Sequence, residues 1–426
     1  MVYKKMNIEL STLLTEMAQK ARSAGEILNT ATSNQKNKFF KYAISAIQDD
    51  TDLILTANQV DIKAAKDNRK DAAFVDRLAL DELRLQGICD TLDEIRSFED
   101  PVGKVLASWS RPNGLKISRV ATPLGVIGLI FESRPNVAAD AGGLCLKSGN
   151  AVILRSGKDG LRSAQAIVNS LQNALISADL PKECIQIVPS EDRKAATMML
   201  EGINGAIDVI VPRGGKSLVS EVEKSAKVPV FGHLEGICHI YVDEDADQEK
   251  AISVCLNAKM RRTGICGAVE TILVNENIVS LFMPKLIAAL ADAECEVRCC
   301  EKTIKFDNRA VPASIDDWST EYLAPIVSIK SVASIDDAVD HIKKYGTGHT
   351  ESIISENQNA QSKFTSSIDS AIVMINTSTQ FADGGEFGLG GEIGIATGKF
   401  HARGPVGINQ LTSFKYIVSG NGQIRD

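Results

Sequence analysis

The segment Asn257-Ala-Lys-Met-Arg-Arg-Thr-Gly-Ile-Cys-Gly-Ala-Val-Glu-Thr271 runs from a helical pattern into a strand pattern. Gly264 and Gly267 flank Cys266, and Arg261 and Arg262 stand just ahead of it. A cysteine on a glycine-flanked helix-to-strand turn is open to substrate, and neighbouring cations favour its thiolate, the nucleophilic form. The chemistry this suggests is covalent attack on a carbonyl carbon. The alternative is a small buried thiol, which is what most cysteines are.

Other segments carry matching possibilities. Phe131-Glu-Ser-Arg-Pro-Asn-Val137 follows an apolar run, at the strand end where ligand sites lie in open α/β sheets. There Asn136 could donate an amide N–H to an oxyanion, a contact worth about 3 kcal/mol in a dry site; a polar turn held by Pro135 is the plainer reading. In Leu154-Arg-Ser-Gly-Lys158, Arg155 or Lys158 could grip an adenosine 2′-phosphate and so favour NADPH over NADH. A solvated basic loop is the alternative. Val211-Pro-Arg-Gly-Gly-Lys-Ser217 imitates the end of a Walker phosphate loop, but Ile210 stands where that motif needs its first glycine. A kinase or ATPase is excluded on that ground. The N–H groups of Gly214 and Gly215, beside Arg213 at a helix start, could still hold a pyrophosphate. The glycine-dense stretch Asn376 to Gly394 carries Phe381, Phe387 and Leu389, which want burial, so it reads as an ordered loop. His401-Ala-Arg-Gly-Pro405 reads as a substrate or interface loop, with no role assigned to His401.

These groups need elements to hold them. Apolar residues at three- and four-residue spacing predict helices over Thr12–Leu28, Gln35–Ile47, Asp52–Ala65 and Asp81–Phe98. Leu115–Ala121 is expected as a strand. Leu124–Phe131, Ala151–Leu154, Ile185–Val188 and Ile207–Val211 are short, mostly apolar runs, which mark buried parallel strands. Helices are expected between them at Leu161–Ile176 and Arg193–Leu200. The β-α-β alternation is a doubly wound nucleotide-binding pattern. A second alternating block has helices at Gln248–Met260 and Ile278–Leu290. Its strands are expected at Val269–Val274, Pro325–Ile329, Ser352–Ile354 and Ala371–Ile375. The boundary between the blocks falls near 230–240.

Composition narrows the class. A chain of 426 residues with 44% apolar and 24% charged content is globular and long enough for two or three domains. A formal charge of −7 argues against a nucleic-acid partner. The start of the chain lacks the apolar stretch of a signal peptide, and the longest apolar run, Leu124–Phe131, is far short of a membrane span. Nine cysteines without a framework spacing fit a reducing, cytoplasmic setting. Cys295, Cys299 and Cys300 form no Cys-x-x-Cys pair, so no metal site is expected.

Taken together, the segments resemble the aldehyde dehydrogenase superfamily, and within it the branch that reduces L-glutamyl 5-phosphate in proline biosynthesis. The resemblance runs from the helical start to Thr412-Ser-Phe-Lys-Tyr416. It rests on Glu132-Ser-Arg-Pro-Asn136, Ile210-Val-Pro-Arg-Gly-Gly215, Gly232-His-Leu-Glu-Gly236, Asn257-Ala-Lys259 with Cys266, Phe381-Ala-Asp-Gly384 and His401-Ala-Arg-Gly-Pro405. It implies an aldehyde-dehydrogenase-like α/β fold: a Rossmann-type NADPH-binding domain over 1–235, a catalytic domain over 236–375, and a segment over 376–426. That last segment, with a strand near 114–122, would serve oligomerisation.

The resemblance also implies roles. Cys266 matches the nucleophile, and Asn136 matches the asparagine that shares the oxyanion with the nucleophile's own N–H. Arg155 falls at the cofactor-ribose position and Glu321 at the nicotinamide-ribose glutamate; Lys158, Arg213, Gly214 and Gly215 complete the expected NADP(H) contacts. His233 stands at the place of the general-base glutamate, with Glu235 two residues on. That base serves thioester hydrolysis, so its absence suits a thioester that exchanges with phosphate. Thr263, Gly267 and Gln380 replace the usual proline, asparagine and arginine. The implied activity is NADPH-dependent reduction of L-glutamyl 5-phosphate by a homo-oligomer, which could associate with the glutamate 5-kinase that makes the substrate. A non-phosphorylating aldehyde dehydrogenase and a catalytically silent binding protein on the same fold are the alternatives.

Overall fold

Helix α1 covers Val2–Asn29, and Thr32 starts the next helix. Its hydroxyl accepts from the N–H of Gln35, whose side chain returns a bond to the Thr32 N–H at 3.0 Å. This reciprocal cap opens α2 (Ser33–Asp49), which buries Phe39, Phe40, Ala43 and Ile47 on one face. Helices α3 (Thr51–Asp67), α4 (Ala72–Leu78) and α5 (Glu82–Ser97) follow. The short α4, capped by Asp71, has no apolar period of its own and was not expected from the sequence.

The computed structural model describes residues 2–389 and 391–425, and the chain divides into two units. The first comprises Met1–Gly232, Gly388–Gly394 and Val406–Asp426; the second comprises His233–Phe387 and Ile395–Pro405. The stretch 376–426, read from the sequence as one segment, is thus shared between the two.

In the first unit, β1 (Val105–Ser110) pairs antiparallel with β2 (Lys116–Pro123). The C-terminal strand Thr412–Ser419 pairs with the other edge of β2, from Lys116 opposite Ser419 to Pro123 opposite Thr412. The strand near 114–122 and the C-terminal segment, both expected to serve oligomerisation, thus pair with each other within the chain. The cofactor-type sheet is parallel. It holds β3 (Val126–Phe131), β4 (Ala151–Ser156), β5 (Ile185–Ile187) and β6 (Val209–Arg213), in the order β5-β4-β3-β6. All six residues of β3 are buried, as a central parallel strand requires. Gly128 is needed there, because a Cβ would stand 2.5 Å from Ile210 Cδ1. Helices α6 (Val137–Lys147), α7 (Leu161–Ser177) and α8 (Arg193–Leu200) make the crossovers, and α9 (Lys216–Ser225) follows β6. Strand order reverses at β3 and β6, so the ligand crevice lies beyond their carboxyl ends.

The second unit is a seven-stranded parallel sheet among the described residues. In chain order it contains β7 (Cys238–Val242), α10 (Gln248–Met260), β8 (Val269–Asn275), α11 (Val279–Asp292), β9 (Glu296–Cys299), β10 (Val311–Pro312), β11 (Ile326–Val332), α12 (Ile335–Tyr345), β12 (Thr350–Ile354), α13 (Gln358–Ser367) and β13 (Ile372–Ile375). The strand order is β10-β9-β11-β8-β7-β12-β13. Phe282, Leu286, Ile287 and Leu290 of α11 pack with Ile240, Ile272 and Val327 of the strands into one core. Strands β7, β9 and β10 were not expected. No described helix is long and apolar enough to cross a membrane.

Candidate active site

Helix α10 ends at Met260 and β8 begins at Val269, so Cys266 rides the turn between them. Close packing fixes its backbone. A Cβ at Gly236 would come within 2.2 Å of the Cys266 carbonyl oxygen, so glycine is required there. The Cys238 thiol donates to that same oxygen at 3.1 Å. On the other side, a Cβ at Gly267 would approach the Thr379 carbonyl to 3.1 Å. Buried Gln380 donates from Nε2 to the carbonyls of Ala258 at 2.9 Å and Arg262 at 3.0 Å, and accepts from Arg261 at 3.3 Å. It therefore caps the end of α10, satisfying carbonyls that a helix terminus leaves open.

A buried ion pair braces the base of the turn. Lys259 on α10 and Glu270 on β8 meet at 2.5 Å with neither side chain exposed. Burial pushes the Glu270 carboxyl up to about 7, with Lys259 opposing the shift. One signal for this pair was in the sequence: a glutamate inside the apolar run of β8 can be buried only with a partner.

Two imidazoles stand beside the thiol. One nitrogen of His233, one of His349 and Cys266 Sγ all lie within 4.8 Å of one another. His233 Nδ1 is 2.7 Å from the Ile395 carbonyl. A carbonyl only accepts, so Nδ1 carries the proton and Nε2 the lone pair. His349 is fully buried; burial first, then the His233 ring, pushes it down to about 3, so it stays neutral. Sequence reasoning missed His349, Cys238, Lys259 and Glu270 as neighbours of the cysteine. Glu321, the expected ribose contact, accepts from the Gly236 N–H at 2.9 Å, which ties it to the loop beneath Cys266.

In the first unit, the structure gathers several of the expected cofactor residues at the switch point. Glu132 follows β3, and its carboxylate accepts from the Gly215 N–H at 3.0 Å, at the start of α9. An internal anion thus occupies the seat expected for a pyrophosphate on Gly214 and Gly215. Arg155 ends β4 with its Nε buried and unpartnered, and its guanidinium reaches only the Glu191 carbonyl at 3.5 Å. Lys158 is exposed in the next turn, and Arg213 ends β6. A buried orphan donor and an anion seat suit the phosphates of a nicotinamide dinucleotide, so the residues present fit such a cofactor. Asn136 sits at the start of α6 and donates to Asp140 at 2.9 Å. An amide nitrogen carries two hydrogens, so this bond orients the side chain and leaves a second donor for chemistry.

In the second unit, a pocket of about 340 Å³ is lined by Asn257, Arg261, Ser378, Gln380, Phe381 and Glu386, among others. It offers one cation and one anion beside the residues that cap α10.

Comparison with known proteins gives the family. The aldehyde dehydrogenase family pattern matches residues 13–303 and 309–417. A gamma-glutamyl phosphate reductase of Parvibaculum lavamentivorans is 54% identical over 417 residues, covering 98% of each chain. The crystal structure of the gamma-glutamyl phosphate reductase of Thermotoga maritima superposes with a TM-score of 0.95 at 44% identity, over 97% of this chain and all of that one. An engineered glycolyl-CoA reductase solved with bound NADP+ shares the fold, with a TM-score of 0.66 at 16% identity over 95% of this chain and 96% of that one. By its whole length and its elements, the chain belongs to the aldehyde dehydrogenase family, where it groups with the gamma-glutamyl phosphate reductases.

Proposed function

We propose that the chain reduces L-glutamyl 5-phosphate to L-glutamate 5-semialdehyde and phosphate through a thioester on Cys266. The observation that carries the reading is the company of Cys266. His233 lies beside it where hydrolytic relatives carry a glutamate base, and no carboxylate belongs to that cluster among the described residues. His233 Nε2 accepts the thiol proton, and the thiolate attacks the acyl carbon. Asn136 and the Cys266 N–H are the proposed donors to the oxyanion. Phosphate leaves with the proton from His233, giving the thioester. The nicotinamide, when bound, supplies a hydride to the thioester carbon. Collapse of the resulting thiohemiacetal releases the aldehyde and restores the thiolate. Without a carboxylate base to activate water, the thioester waits for phosphate in the reverse direction.

NADPH is the proposed cofactor, held by Arg155, Lys158, Arg213, Gly214, Gly215 and Glu321; the buried, unpartnered Nε of half-buried Arg155 supports the phosphorylated form. The pocket with Arg261 and Glu386 suits the carboxylate and ammonium of the glutamyl group. A homo-oligomer, association with glutamate 5-kinase and a cytoplasmic setting belong to the same reading. The exposed apolar residues Val105, Trp109, Tyr416 and Val418 of the three-stranded sheet, and nine unbridged thiols, support the first and last of these. The test is NADP+ reduction with glutamate 5-semialdehyde, with and without phosphate. Strict phosphate dependence is expected. Equal turnover without phosphate would place the chain with the hydrolytic aldehyde dehydrogenases.

A further inference from the structure

The cluster around Cys266 has a second chemical use. A thiolate and two neutral imidazoles are the ligand set of a borderline-soft divalent cation. We propose that Cys266, His233 and His349 form a three-ligand zinc site, and that zinc bound there shuts the enzyme off by taking the thiolate. The binding rests on the geometry alone; the inhibition rests also on Cys266 being the nucleophile.

All three residues belong to the second unit, with one donor atom of each within 4.8 Å of the others. Tetrahedral zinc, with bonds of about 2.0–2.3 Å, holds its donors about 3.3–3.6 Å apart. Side-chain rotations of about 1 Å close that gap. Each ring offers one nitrogen to the cluster. His233 Nδ1 is committed to the Ile395 carbonyl at 2.7 Å, which leaves the lone pair on Nε2. His349 Nδ1 lies 2.8 Å from Thr350 Oγ1, and its Nε2 is buried with no hydrogen-bond partner. The Thr350 hydroxyl can accept from Nδ1, and in that tautomer Nε2 offers its lone pair; a buried ring nitrogen without a partner is costly, and a cation satisfies it. Anchoring one ring nitrogen on a protein oxygen is also how metal-bound imidazoles are held in orientation. Binding exchanges the Cys266 thiol proton for the metal, so affinity rises with pH. Three protein ligands leave a fourth position for water. The spacing 233, 266 and 349 matches no metal motif, which is why the sequence gives no sign of the site.

The test is alkylation of the chelator-treated full chain with iodoacetamide, read at the peptide level, with and without a small molar excess of zinc. Zinc is expected to slow labelling of Cys266 by about tenfold or more, and EDTA to restore it. Labelling of half-buried Cys300, which is hydrogen-bonded to Thr303, should not change. His233→Ala and His349→Gln should each raise the zinc concentration for half-protection by about tenfold or more. Should His349→Gln misfold, His233→Ala carries the test alone, since His233 is only partly buried. Unprotected Cys266, protection undiminished in His233→Ala, or equal protection of Cys300 would each overturn the site. Phosphate-dependent turnover without zinc protection would overturn this proposal only. Zinc protection without any turnover would leave the site standing and overturn the proposed function.

Discussion

The cysteine turn of the second unit and the anion cradle of the first are built on opposite plans. The turn is locked. Backbone presses on backbone at Gly236, a thiol bonds the Cys266 carbonyl, Gln380 caps the helix behind it, and a buried Lys259–Glu270 pair closes its base. The cradle is exposed and adjustable. Gly214 and Gly215 are open to solvent, and the anion held by the Gly215 N–H is the carboxylate of exposed Glu132. Bond-making groups gain from fixed geometry, since small misplacements are costly in rate. A cofactor that enters and leaves on every turnover needs a seat whose occupant can swing away.

This contrast is open to attack by mutation. Cys266→Ala should lower turnover by on the order of 10⁴-fold or more, with NADPH binding by fluorescence titration unchanged. A matching loss of cofactor affinity would join two regions that the account separates. Lys259→Met leaves Glu270 buried without its cation, and should cost about 3–5 kcal/mol in denaturant unfolding of the second unit. The same pair has a pH signature. Between the ordinary glutamate value of about 4.3 and the raised value of about 7, the folded chain keeps a proton that the unfolded chain has released. Stability should therefore fall as pH rises through that window and level off above it. Glu270→Gln should flatten the slope, and an unchanged slope would show that another group produces it.

Two alanine substitutions sharpen the comparison further. Gly236→Ala drives a Cβ into the Cys266 carbonyl and should lower kcat by about 100-fold. At Gly214 the Cβ meets only the ends of the Glu132 and Leu218 side chains, so Gly214→Ala should leave kcat within about twofold. Equal losses would mean that the cradle is as rigid as the turn. A small effect, on cofactor affinity, is expected for Glu132→Gln. Removing the competing charge from the start of α9 should lower the NADPH KM by about two- to fivefold, the worth of one charge at a helix terminus.

Sequence patterns reached the turn more surely than its surroundings. Cys266 stood out because glycines flank it between a helical and an apolar period, and both periods are local. Parallel strands β3 and β4 were legible for the same reason. Strand β7 was not, because its His239 looks polar in sequence; in the fold its ring meets Glu351 at 2.9 Å with both side chains buried. The neighbours of Cys266 come from other strands and loops: His349 beside β12, Cys238 on β7, Gln380 after β13. Such contacts depend on sheet order, which has no local signature. Gln380 shows the cost of reading by position alone. Read in sequence only as a replacement for the usual arginine, it caps α10 and holds Arg261.

The account turns on a covalent acyl-enzyme at Cys266, and intact and peptide mass spectrometry tests it most directly. Enzyme mixed with glutamate 5-semialdehyde and NADP+, without phosphate, should accumulate a glutamyl adduct on the Cys266 peptide, and added phosphate should discharge it. An unmodified Cys266 under conditions where NADP+ is reduced, or an adduct on any other residue, would contradict it.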